Sequence, residues 1–183
     1  MKKVLIIDEM HESISLMLKE IGYEPTYLPQ ITRSEILEQI GGFEGIIIRS
    51  KTRLNKELLD RAEILKFIAR AGAGIDQIDV EEVERRNIKL LNAPEGNRDA
   101  LGEHAIGLLL ALTNNIVKSD KQIRNFIWDR EGNRGYEIGP LTVGLFGYGN
   151  MAKAFAKRLS GFGCKVLAYD KYLTNYSDEF TQE

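Results

Sequence analysis

The stretch Leu141–Asp170, LTVGLFGYGNMAKAFAKRLSGFGCKVLAYD, decides the fold. An apolar run over 141–146 predicts a strand, 151–159 has helical spacing, and 165–169 predicts a second strand that ends at Asp170. Between the first strand and the helix lies Gly147-x-Gly149-x-x-Ala152, in which each small residue has a physical task. Gly147 permits the tight turn, Gly149 lets a pyrophosphate approach backbone N–H groups at the helix N-terminus, and Ala152 lets helix and strand pack closely. Asp170, 18 residues past Ala152, stands where a carboxylate accepts from adenosine ribose hydroxyls and repels a 2′-phosphate. The expectation is a dinucleotide site for NAD rather than NADP, formed by Gly147, Gly149, Asn150, Met151 and Asp170. Lys171 works against that preference, because its charge would accommodate a phosphate. A Gly-rich turn in an ordinary α/β protein would share the glycines but not the strand, helix and acid around them.

Upstream, short apolar runs alternate with amphipathic stretches. Val4–Ile7, Gly45–Ile48, Leu65–Ala69 and Ile88–Leu91 are unbroken and suit strands covered on both faces. Pro25 marks Tyr23–Leu28 as an edge strand. Helix starts are signalled by Thr32 with Glu35 as a capping box, by Asn55, and by Asp79 with Glu82. This β-α alternation predicts a parallel sheet with ligands beyond the carboxyl ends of its strands. After Pro94 and Gly96 the pattern changes to one long helix, roughly Asp99–Phe126, apolar over most of its first half and so expected to be buried on several sides. Arg124–Pro140, with Trp128, reads as a polar arm.

Composition narrows the function. The 183 residues carry 25 basic and 27 acidic side chains, a net charge of -2, so the electrostatic footprint of a nucleic-acid or anionic-membrane binder is missing. One cysteine and two histidines form no disulfide and no zinc-type cluster, so no metal is expected. The first apolar run soon meets Asp8 and Glu9, too short for a signal segment, and Ala105–Leu112 falls far short of a membrane span; a cytoplasmic protein is expected. Three loops follow neighbouring predicted strands: Arg49-Ser50-Lys51-Thr52, Arg70-x-Gly72-x-Gly74, and Asn92–Asn97. Taken singly, ARAGAGIDQID reads as a βα turn with Asp79 as helix cap. Their convergence at one sheet edge is what a crevice for a carboxylate or phosphate needs.

Together, IIRSKTRL, LKFIARAGAGIDQIDV, LNAPEGNRDALGEHAIGLLLAL, Trp128-Asp129-Arg130 and the glycine motif resemble the D-2-hydroxyacid dehydrogenases, and among them the phosphoglycerate dehydrogenases, over about Ile47–Tyr172. The resemblance implies a flavodoxin-like substrate domain over 1–98, then the N-terminal part of a Rossmann NAD-binding domain over 99–183 with a dimerisation helix and arm. It implies oxidation of a small anionic 2-hydroxy acid, 3-phospho-D-glycerate, as in serine biosynthesis, by a homodimer or higher homo-oligomer. By the same resemblance Arg49, Ser50, Arg70, Gly72 and Asn97 face the substrate, and Arg130 reaches a neighbouring subunit's site. Asn150 stands where many relatives have Arg, Ala152 where Gly is usual, and Ala105 where Thr is common.

The residues stop after the first β-α-β of such a nucleotide domain. The family's catalytic Arg, Glu and His are therefore expected outside residues 1–183, and the chain by itself is expected to be inactive. His11 is read as a surface residue, His104 as a structural histidine on a buried helix, Cys164 as a small buried residue and Trp128 as an intersubunit anchor. Another 2-hydroxyacid or hydroxypyruvate reductase, a non-catalytic NAD-binding sensor and a dimerising fragment are the alternatives.

Overall fold

The four unbroken apolar runs become strands of one sheet whose two faces are both covered. In the computed structural model, which describes residues 2–183, Lys2–Ile6 (β1), Ser13–Glu20 (α1), Tyr23–Tyr27 (β2), Arg33–Gln39 (α2) and Gly45–Ile48 (β3) open the chain. Lys56–Arg61 (α3), Phe67–Arg70 (β4), Val80–Arg85 (α4) and Lys89–Asn92 (β5) continue the alternation. All strand pairs are parallel, in the order β2-β1-β3-β4-β5, with Pro25 on the edge strand opposite Val4. Leu5, Ile46, Ile48 and Ile68 pack with Ile36, Leu58, Leu59 and Val83 from the helices. Val4, Ile6 and Ile47 meet Leu18 of α1 on the opposite face.

The helix starts are built from the side chains that the spacing nominates. At α2 the Thr32 N–H donates to Glu35 Oε2 at 2.7 Å and the Glu35 N–H donates to Thr32 Oγ1 at 3.4 Å. Asn55 Oδ1 accepts from the Leu58 N–H at 3.4 Å and Asp79 Oδ1 from the Glu82 N–H at 3.2 Å. Arg86 then ties α4 to α3: its guanidinium donates to the Leu59 carbonyl at 2.5 Å and pairs with Asp60 and Glu82. Arg85 and Arg86 together hold the Glu82 carboxyl at about 2. Thr32→Ala is expected to lower stability by about 1 kcal/mol, because the Glu35 N–H loses its acceptor and the Glu35 carboxylate loses the Thr32 hydroxyl. A urea midpoint equal to that of the parent chain would show that the box contributes nothing.

A second unit runs from Asn97 to Glu183, the first ending at Gly96. It comprises Arg98–Thr113 (α5), Ile116–Arg124 (α6), Thr142–Phe146 (β6), Asn150–Leu159 (α7) and Lys165–Tyr169 (β7), with β6 and β7 paired in parallel. The single long helix expected from the sequence is broken in two and bent by 62°. Asn115 takes a left-handed conformation (φ 51°), and the Asn114 N–H closes α5 on the Leu110 carbonyl. Nor is α5 buried on several sides. Its contact is with α7, where Gly102 lets the helices approach: a Cβ there would lie 3.0 Å from the Ala154 carbonyl oxygen. Arg158 of α7 reaches across to Asp99 and Glu103 at 3.2 Å each.

The opposite face of α5 is open, with Leu112 77% exposed, and His104 is exposed on it rather than buried as a structural histidine. Trp128 is 81% exposed. Cys164 is half-buried rather than buried, with its Sγ 3.8 Å from the Leu159 carbonyl oxygen. The arm folds back through its polar groups. Asn133 Nδ2 donates to Gln122 Oε1 at 2.6 Å, Asn115 Nδ2 to the Arg134 carbonyl at 3.1 Å, and the Tyr136 N–H to the Thr113 carbonyl at 2.9 Å. No single described helix is long and apolar enough to cross a membrane.

Candidate functional site

Parallel pairing sends the carboxyl ends of β1, β3, β4 and β5 to the same edge of the first unit, so their loops meet there. Arg70 ends β4 opposite Ile48 and Asn92, and Arg49 and Ser50 follow β3 directly. The Arg70 Nε donates to the Arg49 carbonyl at 3.1 Å, linking the two arginine-bearing loops. Gln77 Nε2 donates to the Ser50 carbonyl at 3.0 Å, and Asn92 Nδ2 to that of Ala73 at 2.7 Å. Arg49, Ser50, Arg70 and Gly72 are thus brought together. At Gly72 a Cβ would lie 2.6 Å from Arg70 Nη1, so the absence of a side chain there makes room for the Arg70 guanidinium.

Asp8, only 8% exposed, is a participant that sequence reasoning passed over as the residue ending an apolar run. Its Oδ2 accepts the Arg49 N–H at 2.6 Å and fixes the start of the loop. The signal was present: a carboxylate immediately after a doubly covered strand sits at the ligand edge of a parallel sheet. With Glu9, Gln30, Arg49, Ser50 and Lys51, Asp8 lines an open cleft of about 410 Å³. Lys51 is turned to the Pro29 carbonyl at 2.6 Å, while the Arg49 and Ser50 side chains are exposed. Asn97 and Arg130 belong to the second unit. Asn97 precedes α5 without a capping side-chain bond, and Arg130 is exposed in the arm.

In the second unit the glycine motif joins β6 to α7 as its spacing predicts. Gly147 has φ +93°, a conformation that an L side chain adopts only with strain, and Gly149 is the extended residue before the helix. Apart from its chain neighbours, no described residue has a heavy atom within 4 Å of where a Cβ on either glycine would stand, and no described side chain caps α7. The first-turn N–H groups, those of Asn150 and Met151 among them, therefore front open space with the positive end of the helix dipole behind them. This is the arrangement a diphosphate fits.

Asp170 lies beside this loop. Its Oδ2 accepts the Tyr148 N–H at 2.7 Å, and its Oδ1 accepts the N–H groups of Tyr172 and Leu173 at 2.8 and 3.0 Å. Those backbone bonds, Tyr148's foremost, hold its carboxyl below the usual carboxylate value. A carboxylate offers about four lone-pair sites, so three backbone donors leave capacity for a ribose hydroxyl. Because its value is lowered in the folded chain, the order Asp170 gives the loop is complete above the ordinary carboxylate value and is lost as pH falls through the lowered one.

Nearly the whole length of both units matches one family model. Residues 4–182 match D-isomer specific 2-hydroxyacid dehydrogenase, catalytic domain. The chain belongs to the D-2-hydroxyacid dehydrogenase family. It is 34% identical over 173 residues to a D-3-phosphoglycerate dehydrogenase of Methanocaldococcus jannaschii, covering 94% of this chain and 33% of that protein. The chain therefore spans about a third of the length of the curated relatives it matches. Solved structures share its fold, two of them with bound nucleotide. An acyclic imino acid reductase in complex with NADPH and D-Arg has TM-score 0.84 at 23% identity, covering 99% of this chain and 60% of that one. An NAD-dependent formate dehydrogenase from Staphylococcus aureus in complex with NAD has TM-score 0.81 at 24% identity, covering all of this chain and 60% of that one.

Proposed function

We propose that this D-2-hydroxyacid dehydrogenase chain serves the NAD-linked oxidation of 3-phospho-D-glycerate to 3-phosphohydroxypyruvate, with the first unit binding the substrate and the second the nucleotide. The observation that carries the reading is the open glycine loop at the start of α7, with Asp170 ionised beside it. Family membership supports hydride chemistry, and phosphoglycerate dehydrogenases among its relatives support the substrate. Gly147, Gly149, Asn150 and Met151 would hold the diphosphate and Asp170 the adenosine ribose. The nicotinamide, when bound, accepts the hydride.

The chain's own groups do the binding. Arg49 and Arg70 present guanidinium donors that grip the carboxylate and phosphate, the loop between them being braced by Asp8 and by the Arg70 to Arg49 bond. Ser50 adds a hydroxyl, and Asn97 and Arg130 are assigned the substrate contacts that the family resemblance implies. Proton transfer is assigned to the Arg, Glu and His that the family resemblance implies outside these residues. Residues 1–183 alone are accordingly expected to bind ligands and transfer no hydride. A cytoplasmic homodimer in serine biosynthesis belongs to the same proposal.

Calorimetric titration with NAD and NADP tests the cofactor. The parent chain is expected to prefer NAD, and Asp170→Ala to weaken NAD while relaxing the discrimination, since a ribose acceptor and a repelling charge go together. An Asp170→Ala chain with the parent's preference would remove the ribose role. For the substrate, D-lactate or glycerate binding as tightly as 3-phospho-D-glycerate would replace the phosphoglycerate reading with that of a general 2-hydroxyacid reductase.

A further inference from the structure

Tyr148, the residue between the two glycines, is tied down at both ends. Its side chain is fully buried although it sits in a loop. The hydroxyl donates to Asp178 Oδ2 at 2.8 Å and the backbone N–H to Asp170 Oδ2 at 2.7 Å. The ring lies 5.7 Å from that of Tyr176, and the Lys153 ammonium sits 5.6 Å from its centroid. Asp178 and Tyr176 both belong to the segment after β7, which is itself anchored. Tyr176 Oη accepts the Asp170 N–H at 2.9 Å and donates to the Ala168 carbonyl at 3.2 Å. Farther along, Gln182 adds to β7: its N–H donates to the Val166 carbonyl at 3.1 Å and its carbonyl accepts from Ala168 at 2.9 Å. Asp178 is held as well, its Oδ1 accepting the Phe180 N–H at 2.9 Å.

Resting on the nucleotide site proposed above, we infer that Tyr148 is a positioning residue for the glycine loop, and that its bond to Asp178 makes the segment 171–183 a determinant of nucleotide affinity. The geometry gives the reason. Gly147 and Gly149 have no side chains with which to hold the loop, so its shape rests on the residue between them. Tyr148 is fixed to one partner through the backbone and to another through the hydroxyl. Burial and the neighbouring Asp178 carboxylate push the Tyr148 hydroxyl above its ordinary value, which keeps it a donor. Were the hydroxyl bond lost, the loop would sample other arrangements, and a diphosphate would have to select the accepting one.

The test uses the full chain, with ADP and NADH as probes in calorimetry. Tyr148→Phe and Asp178→Ala are each expected to weaken ADP about five- to tenfold, the scale of one hydrogen bond, and the double variant no further than either alone. The amide resonances of Gly147 and Gly149 should shift in Tyr148→Phe while those of the first unit stay in place, a signature that a general loss of stability would not produce. Parent-like ADP affinity in Tyr148→Phe overturns the inference and leaves the nucleotide site standing. If Tyr148→Phe does not fold, Asp178→Ala decides by the same affinity criterion. Additive losses in the double variant also overturn it, since the two groups would then act separately. Failure of the parent chain to bind either nucleotide removes the proposed site and this inference together.

Discussion

Ile46→Ala is expected to destabilise the first unit by about 3 kcal/mol, within the range of 2–5 for a buried isoleucine cut back to alanine. Ile46 is completely buried in the central β3, between β1 and β4, and packs in the larger of that unit's clusters with Leu5, Leu58 and Ile68. Rigid strand pairing on both sides limits collapse of the cavity, so the lost contacts are not recovered. Urea unfolding followed by far-UV circular dichroism measures it. A loss below about 1 kcal/mol would mean that the helices over this face close around the gap, and that the sheet is less firmly covered than its burial indicates.

Arg70→Ala is expected to weaken 3-phospho-D-glycerate binding about ten- to a hundredfold and to leave NAD binding unchanged, since a charge-assisted hydrogen bond is lost from the first unit alone. Two losses combine. The guanidinium itself is gone, and the Arg49 carbonyl loses the Arg70 Nε donor that braces the neighbouring loop. Gly72→Ala should move the same measurement in the same direction by less, because its Cβ would fall 2.6 Å from Arg70 Nη1 and displace a flexible side-chain end without deleting it. Calorimetry with each ligand on the parent and both variants makes the comparison. Equal weakening of NAD and substrate by Arg70→Ala would show a structural role for this arginine, and undiminished substrate binding would take it out of the anion site.

Much of this site was legible in residue types and their spacing because local backbone geometry enforces it. The strand, Gly147-x-Gly149 and the helix after them follow from one requirement, a positive φ at the turn and an unobstructed helix start. Thr32, Asn55 and Asp79 cap helices because the bonds involved join residues three apart. The arginines of two loops could be placed at one edge because parallel strands with helical crossovers leave no other option. Asp8 escaped notice for the opposite reason. Its partner, the Arg49 N–H, is 41 residues away, so the place of Asp8 after a covered strand marks the edge but not the bond.

The same division holds across the molecule. Sequence by itself determined the α/β alternation, the edge position of the proline-bearing strand and the glycine loop, since each depends on hydrophobic period, φ restriction or a bond within a few residues. Only the tertiary structure decided that Gly72 makes room for Arg70, that Asp170 serves three backbone donors before any ribose, and that Tyr148 is pinned to Asp178. It also decided that the apolar helix after Asn97 breaks at Asn115 and leaves a face exposed. Hydropathy records how apolar a helix is, whereas which side is covered depends on what packs there. For α5 that neighbour is α7, whose approach is set by Gly102 and by Arg158 reaching Asp99 and Glu103 from more than 50 residues away in the chain.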